Sequence, residues 1–201
     1  LGIIGKVSDD IICAGNKPFM IGGEHLITLA AFKAAANRYP DIHVIHIDAH
    51  TDLRDEYLGQ RLSHASVIRR LWEITGDGRI WQIGIRSGLK EEFEWAGKGH
   101  TFIRPIDLSK AEEAARAIGN KPVYLTVDLD VLDPSVFPGT GTPEPGGVSF
   151  KELMEALYRF RGLNIVAADM VELAPMLDRS GISTAAACKT MREMLLLMGI
   201  N

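Results

Sequence analysis

Short apolar runs alternate with helix-patterned stretches along almost the whole chain, and this alternation limits the fold more than any other feature. Residues 42–47 (IHVIHI), 80–85 (IWQIGI), 123–129 (VYLTVDL) and 164–171 (NIVAADMV) read as strands. Residues 18–23 (PFMIGG) form a shorter one and 101–106 a weaker one. Between them, 24–38, 62–74, 90–96, 109–118, 149–161 and 181–198 carry apolar residues at helical spacing. Ser109, with Glu112 three residues on, is a capping-box signal. Strands alternating with helices build βαβ units, so the expected class is α/β with a mainly parallel sheet covered on both faces. The 201 residues suffice for one sizeable core, and no linker, repeat or low-complexity segment divides them. A single domain over 1–201 follows. In open parallel sheets, ligands bind outside the carboxyl ends of the strands, and that is where this chain places its acidic clusters.

Composition excludes several other classes. Hydrophobic residues are 46% and charged residues 24%, which is ordinary for a soluble domain and argues against disorder. No apolar run approaches the roughly 20 residues that cross a bilayer, and no charged-then-apolar leader is visible. A cytoplasmic location and no membrane partner are expected. Cys13 and Cys188 are too few for a disulfide framework and read as small, buried apolar residues in a reducing compartment. The net charge of −4 and the lack of a basic run argue against nucleic acid as a partner. The stretch 1–14 begins at Leu1 as an amphipathic helix already under way, so an upstream segment is expected to be absent from this chain.

Two acidic clusters and one glycine turn carry the chemistry. Asp48-Ala49-His50-Thr51-Asp52 directly follows the run 42–47. Along extended chain, residues i, i+2 and i+4 point to one side, so Asp48, His50 and Asp52 face one place. One i to i+2 step covers roughly 6.6 Å, and metal pairs in two-metal hydrolases lie roughly 3.5–4 Å apart. The segment can therefore reach two cations. Asp128-Leu129-Asp130 ends another strand with the same alternation, and two adjacent aspartates repel unless a cation lies between them. Gly22-Gly23-Glu24-His25 is a strand-to-helix turn that aims His25 at the strand ends. Four carboxylates and two imidazoles form an oxygen-rich set that suits Mn²⁺ better than Zn²⁺ or Cu²⁺, while the imidazoles leave cobalt and nickel as alternatives. Neither cysteine lies near a motif, against a structural zinc site. Two divalent cations would neutralise the four aspartates and activate a water as nucleophile near neutral pH.

The segments GGEHLITLA (22–30), IDAHTDLRDEY (47–57), LSHASVIRR (62–70), TVDLDVLDPSVFPGTGTPEPGG (126–147) and DMVELAP (169–175) resemble the successive signatures of the ureohydrolase family of arginases and agmatinases, in the same order. The resemblance spans residues 22–175 and implies a three-layer α/β/α sandwich, the arginase-like fold. It implies hydrolysis of a guanidino compound to urea and an amine by two Mn²⁺ per chain. On that likeness His25, Asp48, Asp52 and either Asp128 or Asp130 would bind one ion, and His50, Asp48, Asp128 and Asp130 the other, with Asp48 and Asp128 bridging. Asp52 would also hydrogen-bond the attacking water. Glu172, in DMVELAP, would pair with the substrate guanidinium, and His64, in LSHAS, would shuttle a proton. Homo-trimers or hexamers are common in the family, and its members carry a segment before GGEH that adds an edge strand.

The branch it most resembles is agmatinase. Arginine-specific members have a longer Ser/Thr/Asn-rich loop after DAHTD, whereas residues 53–63 (LRDEYLGQRLS) are short and lack that polar set. Agmatine, giving putrescine for polyamine biosynthesis, is the expected substrate, with Asp55 or Glu56 as candidates to attract its far amine. The alternatives are arginase or guanidinobutyrase-type activity, a single-zinc deacetylase-like hydrolase, and a non-catalytic homologue. Other residues take structural readings. His43 and His46 are structural, His100 is a loop residue and Asp133 forms a turn before Pro134. Arg69 and Arg70 are solvated or subunit-facing, and 194–198 is a core stripe. His64 could instead cap the helix after it. The loop 134–147, with four prolines and four glycines, is expected to be rigid or to need special backbone angles.

Overall fold

A computed structural model describes residues 1–105 and 108–199. The strands are β1 (Phe19–Ile21), β2 (His43–Ile47), β3 (Ile80–Ile85), β4 (Phe102–Pro105), β5 (Pro122–Asp128) and β6 (Asn164–Val171). The helices are α1 (Gly2–Cys13), α2 (Ile27–Arg38), α3 (Val67–Thr75), α4 (Lys90–Trp95), α5 (Ala111–Ile118), α6 (Phe150–Arg159) and α7 (Ile182–Leu197). All strand pairs are parallel, in the order β1-β6-β5-β2-β3-β4.

Side-chain alternation splits the core into two layers. Ile45, Ile47, Leu125 and Val127 face one side and pack with Ala114 and Ile118 of α5, Leu153 and Leu157 of α6, and Met194 of α7. Val44, Ile80, Tyr124 and Val166 face the other and pack with Ile12 of α1, Leu29 and Phe32 of α2, and Ile68 and Leu71 of α3. Helices on both faces of one parallel sheet are the expected three-layer sandwich.

From β2 the chain runs outward through β3 and β4, then returns to β2's other side with β5. The strand order thus reverses between β2 and β5, the kind of switch point at which ligand crevices open. Asp48 follows β2 and Asp128 ends β5, so the two acidic clusters flank that crevice. Gly84 permits a close approach there. Its φ is +94°, and a Cβ would lie 2.7 Å from Val131 Cγ2 and 3.1 Å from the Asp48 carbonyl.

Several expectations shift. The weak strand ends at Pro105, and Ile106 lies outside the described residues. Helix α5 has Lys110, not Ser109, at its N-cap, with no side-chain cap bond. The helix expected over 62–74 begins as a 3₁₀ turn, His64–Ser66, whose cap is Ser63 rather than His64. Cys13 and Cys188 are exposed, against the expected burial. Arg70 is buried, not solvated, with its guanidinium between Asp55 and Glu73. No helix among the described residues is long and apolar enough to cross a membrane.

Candidate metal centre

Six side chains from three segments converge at the crevice. His25 comes from the turn between β1 and α2; Asp48, His50 and Asp52 follow β2; Asp128 ends β5, and Asp130 lies in the 3₁₀ turn Leu129–Val131 after it rather than in the extended chain expected there. His25 Nδ1 lies 3.3 Å from Asp48 Oδ2, 3.2 Å from Asp52 Oδ2 and 3.2 Å from Asp128 Oδ2. It is fully buried, yet aligned in hydrogen-bond geometry with none of them. A ring nitrogen aimed between three carboxylate oxygens, rather than at one, is the arrangement of ligands around a common centre. His50 Nδ1 lies 2.9 Å from Asp130 Oδ2 and 3.5 Å from Asp48 Oδ1. Asp48 therefore turns one oxygen to each histidine. Of the two aspartates left as alternatives beside His25, the geometry puts Asp128 there and Asp130 beside His50.

Backbone amides pin these carboxylates. Asp48 Oδ1 accepts from the His50 amide, Asp128 Oδ1 from the Asp130 amide and Asp130 Oδ1 from the Ala49 amide. Electrostatics point the same way. Burial raises the Asp128 carboxyl well above the ordinary range, and the charges of Asp130 and Asp48 add to it. Burial and Asp48 raise Asp130. Burial also opposes ionisation of Asp48, but His46, His25 and His50 hold it well below its usual value. Burial would lower His50, yet Asp130 and Asp48 push it up to about 11. His25 is raised against burial by Asp128, Asp48 and Asp52. Four crowded carboxylates thus draw positive charge into the site, a demand that divalent cations would meet. The orphaned Nδ1, the shared Asp48 and the hard-oxygen donor set all fit metal ions.

Glu172 and His64 line the same cleft, of about 320 Å³, with Tyr57, Arg54, Ser87 and Thr142. Glu172 Oε1 accepts from the His25 amide at 2.8 Å, and burial pushes its carboxyl up to about 7. His64 is 44% exposed and its Nδ1 lies 3.6 Å from Glu24 Oε1, so it stands at the rim. Asp52 and Glu172 have φ of +52° and +62°, two of the three non-glycine residues in the left-handed region among the described residues. Such strain persists only where surrounding structure enforces it, and it concentrates at functional sites. Asp55 pairs with Arg70 at 2.8 Å and lies outside the cleft lining, as does Glu56.

The loop 134–147 closes one side. Asp133 makes the expected turn: Oδ1 accepts from the Ser135 amide and hydroxyl, and Oδ2 from the Gly146 and Gly147 amides. Arg86 spans the loop and the end of β5, donating to the carbonyls of Asp130, Val131 and Glu144. A Cβ on Gly147 would meet the Asp133 amide nitrogen at 2.5 Å and Arg86 at 2.7 Å.

One feature escaped the sequence reading. Gln82, His46, Thr126 and Asp169 are register partners across β3, β2, β5 and β6, and all are fully buried. They form a polar row one step beneath the site. His25 Nε2 lies 3.0 Å from Thr126 Oγ1, and Tyr124 donates to Asp169 at 2.6 Å. The signal was present as a polar residue inside each of four apolar runs, but only the register aligns them.

Known proteins resemble the chain throughout. The profile of the arginase family matches residues 2–197. The chain is 44% identical over 199 residues to the agmatinase of Bacillus anthracis, covering 98% of this chain and 69% of that one. It is 32% identical over 211 residues to the guanidinobutyrase of Pseudomonas aeruginosa, covering 98% and 65%. Among solved structures, a candidate agmatinase from Clostridium difficile superposes with a TM-score of 0.95 at 51% identity, over 97% of this chain and 72% of that one. The arginase of Bacillus cereus superposes with 0.82 at 25% identity, over 94% and 75%. A family profile over residues 2–197, with a relative 44% identical across 98% of the chain and the same fold in a solved neighbour, places this chain in the arginase family.

Proposed function

We propose that the protein hydrolyses agmatine to urea and putrescine, with two Mn²⁺ held by His25, Asp48, His50, Asp52, Asp128 and Asp130. The observation that carries this reading is Asp48, which faces His25 with one oxygen and His50 with the other and so would serve a cation beside each histidine. The oxygen-rich donor set favours manganese. When bound, such a pair supplies Lewis acidity and lowers the pKa of water enough to make a nucleophile at neutral pH.

The chain's own residues supply the rest. Glu172 offers its carboxylate to the substrate guanidinium in a charge-assisted, orienting contact. Burial makes that carboxyl costly to ionise alone, and a cationic partner offsets the cost. Holding the guanidinium carbon against the attacking water removes much of the entropic barrier. Asp52 orients that water by accepting its hydrogen bond. His64, at the rim within reach of bulk water, returns a proton to the departing amine. The agmatinase relative shares more identity than the guanidinobutyrase does, which supports agmatine. A homo-trimer or hexamer acting in the cytoplasm completes the reading.

One observation favours a second substrate. Arg54 lines the cleft with its guanidinium 4.8 Å over the Tyr57 ring, and it makes no ion pair among the described residues. An unpaired cation there suits a guanidino acid such as 4-guanidinobutanoate. Urea release by the Mn²⁺-loaded protein from agmatine, arginine and 4-guanidinobutanoate separates these readings. Agmatine should give the highest kcat/KM. A higher value for arginine overturns the proposal. A higher value for 4-guanidinobutanoate, reversed by Arg54→Ala, establishes the second reading instead.

A further inference from the structure

His46 meets the geometric requirements of a ligand, since one of its ring nitrogens lies within 4.8 Å of the donor atoms of His25, Asp48 and Asp52. Its hydrogen bonds assign it a different part. Both ring nitrogens are occupied: Nε2 lies 2.7 Å from Asp48 Oδ2, and Nδ1 lies 3.2 Å from Gln82 Nε2. Directions within this group follow from chemistry alone. Gln82 also lies 2.7 Å from the Thr51 carbonyl, which can only accept, so the amide nitrogen of Gln82 must face it. The Gln82 oxygen then faces the Thr101 hydroxyl, which donates to it at 2.9 Å. With one N–H on Thr51, the other points to His46 Nδ1, which must present a lone pair. The ring proton of His46 therefore sits on Nε2 and is donated to Asp48.

All four side chains are buried, with exposures of 4% for Thr101 and 0% for Gln82, His46 and Asp48. The chain crosses from the residue before β4, through β3 and β2, to the carboxylate that faces both cation positions. Asp48 Oδ1 is already fixed by the His50 amide. The His46 bond fixes Oδ2, so the carboxylate plane is clamped at both ends and its remaining lone pairs are aimed into the crevice.

We infer that Thr101, Gln82 and His46 are positioning residues that set the tautomer of His46 and, through it, the orientation in which Asp48 meets a cation. The inference rests on the proposed metal centre. Outer partners that orient a ligand commonly change metal affinity by about 10–100-fold when removed. Thr101 is the most telling member because two residues separate it from Asp48. Without its hydroxyl, the Gln82 oxygen loses its donor and the amide is free to turn that oxygen toward His46.

The test is titration of metal-free protein with Mn²⁺ alone, reading free Mn²⁺ by its EPR signal, with circular dichroism as the folding control. Wild type should bind two equivalents. His46→Phe should weaken one of the two about 10–100-fold. His46→Gln, whose amide can donate to Asp48, should recover part of that loss. Thr101→Val, nearly isosteric, should weaken the same equivalent by a smaller factor. If His46→Phe fails to fold, Thr101→Val and His46→Gln decide the matter. Folded variants with wild-type affinity at both positions overturn this inference and leave the metal centre standing. A wild type that binds no Mn²⁺ overturns both.

Discussion

Asp52 and Glu172 show how much of the site is written into single residues and how much is not. Each side chain could be nominated from its motif, but no motif reports that both are held at positive φ. That strain costs on the order of 1–3 kcal/mol per residue. Glu172→Gly should therefore abolish urea release while changing unfolding free energy by less than about 1 kcal/mol. Relief of strain would offset the lost hydrogen bond to the His25 amide, itself worth about 1 kcal/mol. Chemical denaturation checks this, and a loss above about 2 kcal/mol would contradict it. Asp130→Asn, by contrast, keeps the acceptor for the Ala49 amide and removes the charge facing His50. It should eliminate turnover with the circular dichroism spectrum unchanged. The acidic clusters were legible because each follows a predicted strand, at the end where ligand crevices open, but the 3₁₀ turn at 129–131 and the positive φ of Asp52 that bring them together were not. His46 was not, because its partner Gln82 lies in another strand and only the pairing register brings them together.

At the scale of elements, the loop 134–147 is organised by Asp133 and Arg86. Its prolines and glycines announced a special conformation, and Asp133 was recognisable as a turn former, but the Arg86 staple depends on contacts distant in sequence. Hydrogen bonds from Ser135, Gly147 and Gly146 hold the Asp133 carboxyl down at about 2. Its folded pKa lies below the unfolded value of about 3.9. Its contribution is thus fully present above that value and is lost as pH falls through about 2. Hydrogen exchange of the Gly146 and Gly147 amides should accelerate, relative to their intrinsic rates, between pH 4 and pH 2. In Asp133→Asn the relative rates should show no such step. Gly147→Ala should disorder the same loop at neutral pH, because its Cβ would collide with backbone. Element edges were less legible than element types. Helix α5 starts two residues past Ser109, and a 3₁₀ turn precedes α3, because tertiary packing decides end turns that local sequence leaves close in energy.

At the scale of the whole molecule, the alternation of strand and helix patterns led directly to a parallel sheet covered on both faces, and the family resemblance to the three-layer sandwich. The order β1-β6-β5-β2-β3-β4 was not legible, since periodicity does not report which strands are neighbours. That order matters for function because the reversal between β2 and β5 opens the crevice in which segments far apart in the chain meet. A cation bound only by the folded state stabilises the entire domain, by about 2.7 kcal/mol when free metal is 100 times its dissociation constant. Chelation should accordingly lower the melting temperature, and restoring Mn²⁺ should recover it. The claim on which these expectations depend is that six side chains around one shared carboxylate hold a pair of manganese ions. Equilibrium dialysis of the purified protein against Mn²⁺ measures it most directly. Two equivalents per chain are predicted, and saturation at one equivalent or none would contradict the account.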